Sequence, residues 1–355
     1  MMDLNTVLQR HQLWLRGEGG EQADLSGKDL RGVDLCGADL RRAIITNANL
    51  SGANLERANL SRCNMSNSNL SLANLRCTNL FHSNLSLSDL SNSDLSMARL
   101  DKANLYGAYL KQAQFIKTSM RLVNLSDADL IKANLGYAIL YHSNLSNARL
   151  VDASMSMARL DFSSIIDADA RMVCLIGANM RGAILRGSNF SNADLSGAQL
   201  TDTELDVSDF SRANFTNSVL TGAYISSANF YHACMRGADI GDGVVNHAKF
   251  IGTNMSGVSL HGAKICECRF DGVDACNADL SCASISDSSI EDTRLDNANL
   301  GDTLLHKVKI SNTSMKCVDL CPAILDDTVE MTNVQLNHDV CDADNVDIKP
   351  DFIIQ

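Results

Sequence analysis

The sequence predicts an all-β solenoid of square coils. Three observations predict it: a five-residue period, a pair of inward side chains in every unit, and proline confined to the end of the chain. From Leu25 to Leu325 every fifth residue is the centre of an Ala-Asp/Asn-Leu-x-x unit, as in Ala53-Asn54-Leu55, Ala103-Asn104-Leu105, Ala193-Asp194-Leu195 and Ala298-Asn299-Leu300. A period of five matches neither the helical period of about 3.6 nor the strand alternation of about two.

Each unit places its central Leu, Met, Phe or Ile and the small residue two positions earlier on the same face of an extended backbone. The residue between them, as at Asn49, Asn74, Asp89 and Asp129, points to solvent, and two polar residues complete the turn. Four such units make the four sides of a coil of about twenty residues. Stacking coils at about 4.8 Å per strand spacing predicts about fifteen coils and a column on the order of 70 Å long. The small inner position is the strictest requirement, because a corner beside Leu admits only a short side chain. Cys63, Thr78, Ser143, Val173, Gly243, Cys268 and Val318 satisfy it. Lys28, in an end coil with one neighbour, is the exception whose long side chain can reach solvent.

On these residues the chain resembles the pentapeptide-repeat protein family, over roughly 300 of its 355 residues. The resemblance implies a right-handed quadrilateral β-helix. It fixes the fold and leaves the function open, because one scaffold serves many partners. It also implies that some members imitate duplex DNA and occupy the DNA-binding saddle of bacterial type II topoisomerases, and that the C-terminal end can pair two copies into a homodimer.

Three regions follow: residues 1–20 as an N-terminal capping helix, 21–325 as the repeat solenoid, and 326–355 as a non-repeat C-terminal cap or tail. Leu4, Val7, Leu8 and Leu15 share one face of a helix over residues 2–16, closed by Gly17, Gly19 and Gly20 and carrying the single tryptophan, Trp14. Such a helix covers the exposed edge of a first coil. After Asp326 the five-beat fails at Glu330, Gln335 and Asn345, and a short helix over Val329–Leu336 is expected to cap that end. The two prolines, Pro322 and Pro350, lie at or beyond the last coils, where no ladder amide is lost.

No apolar run is long enough to span a bilayer, and the first twenty residues lack a basic, apolar signal segment, so a bacterial cytoplasmic protein is expected. The twelve cysteines include Cys63 and Cys268 at inner small sites and Cys36, Cys77, Cys266, Cys276 and Cys282 at outward sites on different sides of the square. That phase favours reduced thiols acting as small residues over a metal or disulfide framework.

The net charge of −12 is uneven: residues 1–200 hold 20 basic and 18 acidic side chains, and residues 201–355 hold 10 and 24. The acidic candidates for a partial DNA mimic include Asp239, Asp242, Asp271, Asp274, Glu291 and Asp292. Their region carries far less than the one charge per about 1.7 Å of duplex DNA, so any mimicry is partial. The early coils offer a different surface. Residues twenty apart share a side, and one side collects Arg42, Arg62, Phe81, His82, Lys102, Arg121, Tyr141, His142, Arg159 and Phe162. Exposed aromatics flanked by arginine make a protein-binding surface. Direct nucleic-acid binding is not expected of an acidic chain.

No nucleophile–base grouping, phosphate-cradling loop or metal-spaced histidine pair occurs, and a regular core predicts a surface without a pocket. No catalytic, metal or cofactor residue is therefore assigned. The reading is a non-enzymatic protein-binding column, with a type II topoisomerase such as DNA gyrase as the specific partner. The alternative is a secreted bacterial effector or scaffold that uses the basic and aromatic side. Only about twenty residues precede the first repeat, a short delivery segment for an effector.

Overall fold

The structure, a computed structural model, describes residues 4–318 and 323–336. Pro322, Asn345 and Pro350 lie outside the described residues. The chain forms two compact units, Met1–Cys174 and Leu175–Gln355. Each is a right-handed quadrilateral β-helix of parallel ladders.

In the first unit each side is a single bridge between residues twenty apart, such as Asn49 with Asn69 and Asn84 with Asn104. The Leu50 N–H donates to the Asn69 carbonyl at 2.7 Å, and the Asn69 N–H returns a bond to Ala48 at 2.9 Å. Within a coil each corner closes as a turn, as where the Ala53 N–H donates to the Leu50 carbonyl at 3.0 Å. The second turn residue takes a left-handed φ, 64° at Arg42 and 57° at Arg57. That region suits Gly and Asn best, and Gly52, Asn67 and Asn92 occupy it at other corners.

The inward pairs are enclosed as the period requires: Leu50, Leu55, Leu60 and Leu140 are each 0% exposed. Each buried Leu contributes about 1.5–3 kcal/mol, and a continuous pillar repeats that gain at every side. Ser and Thr at the inner small position turn their hydroxyls onto backbone, as Ser83 does onto the Leu80 carbonyl at 2.7 Å. Lys28 is exposed, in keeping with its place in the first coil. On the outside, Asn64, Asn84, Asn104 and Asn124 form an amide ladder with Nδ2–Oδ1 distances of 3.1–3.2 Å. Each Oδ1 also caps the backbone two residues on, as at Ser126.

The second unit keeps the frame but lengthens two of its sides into strands. One sheet stacks Tyr224–Ser226, Val244–Asn246, Lys264–Cys266, Ser284–Ser286, Leu304–His306 and Ile324–Leu325. The other stacks Lys249–Ile251, Arg269–Asp271, Ser289–Glu291, Lys309–Ser311 and Glu330–Thr332. Most stranded sides are centred on β-branched or aromatic residues, such as Ile225, Val245, Ile265, Phe250, Phe270 and Ile290, which favour extended backbone. The sides between them centre on Met255, Leu260, Leu280 and Leu295 and keep closed turns, with Val258 donating to Met255 at 3.0 Å. On stranded sides the amides of Cys268 and Val273 find the hydroxyls of Ser288 (3.0 Å) and Thr293 (3.4 Å) instead. Inside, Phe190, Phe210, Phe230, Phe250 and Phe270 stack at successive centroid distances of 5.3, 5.4, 5.0 and 4.9 Å.

The expected helix over Val329–Leu336 is not formed. Glu330–Thr332 and Gln335–Leu336 are strands that pair in parallel with Lys309–Ser311 and Ser314–Met315. The offset there is 21 residues, Lys309 facing Glu330, so one inserted residue moves the centres to Met331 and Leu336 and the ladder resumes. The five-beat was shifted, not lost, because backbone pairing with the preceding coil outweighs a short helix.

Candidate partner-binding surface

Helix α1 (Leu4–Arg16) lies against the first coils of its own unit. The face predicted from Leu4, Val7, Leu8 and Leu15 is the docked one, and His11, which completes the same spacing, is its buried centre at 0% exposure. The His11 Nδ1 accepts the Ala23 N–H at 3.0 Å, while Gln12 Nε2 donates to the Asp39 carbonyl at 2.8 Å. The His11 ring stacks on Trp14 at 5.6 Å, and its Nε2 has no partner. Burial lowers the His11 pKa, against Asp39, which raises it. Gly20 lets the chain leave the helix at φ +78°; a Cβ there would stand 2.1 Å from the Arg10 carbonyl oxygen.

The ladder brings the early basic and aromatic residues to one corner. Amide bonds run Arg42 to Ser61, Arg62 to Phe81, His82 to Asp101, Lys102 to Arg121, Leu122 to Tyr141 and His142 to Asp161, at 2.8–3.1 Å. Arg42, Arg62, His82, Lys102, Arg121, His142, Arg159 and Phe162 are exposed; Phe81 and Tyr141 are half-buried. The corner is braced from the adjoining side. The Arg99 guanidinium sits 4.6 Å over the Phe81 ring, and sixty residues on Arg159 sits 4.5 Å over Tyr141. The His142 and Phe162 rings stack at 5.2 Å and 12°.

Arg99 is held in turn by Asp101 at 3.0 Å, whose other oxygen accepts the Ser119 hydroxyl and the Arg121 amide. Burial works to raise the Asp101 pKa, but those hydrogen bonds and Arg99 outweigh it and hold the carboxyl below its ordinary range. The aromatic rings are thereby fixed before any partner arrives, which lowers the ordering cost of binding. Leu122, 52% exposed, belongs to the same corner and was missed because Leu otherwise marks the core in this sequence.

The acidic candidates are not gathered in this way. Asp271 and Glu291 face each other across paired strands beside Asp292, but Asp271 is bound to Arg269 at 2.7 Å. Asp274 lies on the next side within 3.7 Å of Arg294, and Asp239 accepts the Gly241 amide and the Thr221 hydroxyl near exposed Asp242.

The expectation of a surface without concavity fails beside α1, where a cleft of about 430 Å³ opens. Trp14, Arg41 and Arg42 reach it from parts of the sequence that no local pattern connects. Within the second unit an apolar cavity of about 20 Å³ lies beside Ala275, where a small residue takes a central position. Among the described residues no three His, Cys, Asp or Glu side chains are placed to hold a metal, and no helix is long and apolar enough to cross a membrane. No disulfide joins the described cysteines, and burial pushes the Cys63 and Cys268 thiols up to about 12.

A family model described as pentapeptide repeats (8 copies) matches residues 21–52, 53–92, 83–121, 128–163, 174–212, 208–242 and 246–281. No curated protein matches the chain. Among solved structures, similarity extends to HetL, a pentapeptide repeat protein involved in heterocyst differentiation regulation from the cyanobacterium Nostoc sp. It is 24% identical over 72% of this chain and 98% of its own, with a TM-score of 0.33. A pentapeptide repeat protein of the Arabidopsis thaliana thylakoid lumen is 27% identical over 25% of this chain and 62% of its own, at 0.25. QnrB1, a plasmid-mediated fluoroquinolone resistance protein, is 16% identical over 66% of this chain and 90% of its own, at 0.24.

Proposed function

The chain belongs to the pentapeptide-repeat family, and from that premise we propose that it is a non-enzymatic protein-binding solenoid whose contact surface is the basic and aromatic corner of residues 41–162. The observation that carries this reading is the repeated brace, Arg99 over Phe81 and Arg159 over Tyr141. A solvated face has no reason to immobilise two cation–aromatic pairs at the same register, whereas a binding surface gains from rings held at fixed spacing. Affinity capture from bacterial lysate, comparing wild type with Phe81→Ala plus Tyr141→Ala, tests it. Loss of specific partners in the double variant is expected; identical partner lists remove the corner from consideration.

A second reading is favoured by the charge of Leu175–Gln355, with 12 basic and 25 acidic side chains. In it the acidic unit engages a bacterial type II topoisomerase as a partial DNA mimic. Of the six acidic candidates, Asp239, Asp242, Glu291 and Asp292 form no ion pair with a described residue, whereas Asp271 and Asp274 do. Supercoiling by purified DNA gyrase, titrated with this protein, decides it: neither inhibition nor protection at micromolar protein discards the mimic.

A further inference from the structure

The corner begins at the cleft beneath α1, and the cleft has a chemistry of its own. Trp14 and Leu15 from the helix meet Arg41, Arg42, Arg62 and Phe81 from three successive coils around about 430 Å³. That volume falls in the range of about 300–1,000 Å³ seen for ligand sites. Arg41 is taken by Asp39, through Nε at 2.8 Å and Nη2 at 2.7 Å. Arg42 and Arg62 form no ion pair with any described residue. They are one ladder step apart, about 4.8 Å along the stack, so two guanidinium groups face one opening with no counter-charge.

The walls are equally specific. Trp14 is fixed by its stack on His11, and α1 is fastened through His11 and Gln12, so the indole is held in place in a lining that it shares with Phe81. Paired guanidinium groups select carboxylate or phosphate oxygens, and flanking rings select a flat apolar group.

We propose that this cleft binds an acidic linear peptide segment that carries an aromatic residue, the aromatic side chain entering between Trp14 and Phe81 while neighbouring carboxylates meet Arg42 and Arg62. The proposal rests on the protein-binding reading above and gives its partner a chemistry. A peptide fits better than a free anion because the cleft leads, through Phe81, directly into the braced corner, where the rest of a chain can lie. Nucleic acid would present the same base and phosphate groups as adenosine monophosphate, so that compound tests for it below.

Trp14 is the sole tryptophan, so its emission reports the cleft alone. The full chain is titrated with a ten-residue peptide of Glu with a central Tyr, with the same peptide carrying Ser for Tyr, and with adenosine monophosphate as a free aromatic anion. A saturable change with the Tyr peptide is expected, at least tenfold tighter than with the Ser peptide. It should weaken at least tenfold in Arg42→Asn plus Arg62→Asn, substitutions that keep a side chain suited to positive φ, and at least threefold in Phe81→Ala. Circular dichroism melts confirm that the variants fold. No saturable change, equal affinity in the double arginine variant, or adenosine monophosphate binding as tightly as the peptide would each overturn the assignment. Corner-dependent lysate capture by a wild-type chain that shows no saturable peptide binding sinks this site alone. Peptide binding without any corner-dependent capture sinks the broader surface alone.

Discussion

The two units share one five-residue frame and differ in what fills and covers it. Met1–Cys174 has pillars mainly of Leu, external amide ladders, single-bridge sides and a nearly balanced surface of 18 basic and 17 acidic side chains. Leu175–Gln355 stacks Phe190 through Phe270 in its interior, lengthens two sides into strands and is strongly acidic. The frame therefore needs only an apolar centre and a small partner. The centre does not by itself decide whether a side closes in a turn or extends into a strand: Phe210 and Phe230 keep closed turns, with Ala213 and Ala233 donating to them at 3.0 Å, while Leu305 centres a strand. The outer residues are independent of both, so each unit can present its own charge and its own partner surface on the same core.

The strongest way to break this comparison is to remove a pillar from each unit. Phe230→Ala, which empties a ring stacked on both sides, should cost about 3–5 kcal/mol, and Leu140→Ala about 2–5 kcal/mol. Both are read from the shift in urea midpoint; a negligible loss at either position would contradict its enclosure.

Central alanines sharpen the contrast. Ala275 borders the apolar cavity of about 20 Å³ and is 7% exposed, whereas Ala170 is 0% exposed. Ala275→Val should stabilise the second unit by about 0.5–2 kcal/mol. Ala170→Val should destabilise the first by about 1–3 kcal/mol through overpacking. Melting temperatures that move the same way for both would show that the two interiors are equally filled.

Acid should act first on the N-terminal cap. Burial holds His11 below its ordinary value of 6.5, outweighing Asp39 and the Arg41 backbone, which both raise it. A depressed histidine contributes its full stability above pH 6.5, and that contribution is lost as pH falls through the folded value, because the unfolded form takes up the proton first. Trp14 emission should therefore shift to the red below pH 6.5 while far-ultraviolet circular dichroism of the coils holds. A pH-independent Trp14 signal in that window would remove His11 as the fastening. The smallest effect is expected on the outside of the first unit: Ser146→Ala, which loses a 3.0 Å hydroxyl contact with Ser164, should change stability by less than about 0.5 kcal/mol.

Most of the fold was legible because the inside–outside decision is local. Leu55 and Ala53 share a face by strand geometry whatever the next coil contains, and Lys28 betrayed an end coil for the same reason. The basic and aromatic corner was legible in its members, since a twenty-residue spacing maps directly onto one corner. Its bracing was not: Arg99 reaches Phe81 and Arg159 reaches Tyr141 at a separation of eighteen, across the side rather than along it. The acidic residues read as a group in the sequence, but Asp271 and Asp274 face arginines of their own unit.

By itself the sequence determined the period, the buried pillars, the small corner residues, the amphipathic helix and the uneven charge, all set by side-chain size and polarity at fixed short separations. The tertiary structure alone decided where α1 docks and what cleft it leaves, which sides become strands, how a one-residue insertion before Met331 is absorbed into a ladder, and which charges remain free. Each of these depends on what a neighbouring coil presents about twenty residues away, and that contact exists only once the coils have stacked.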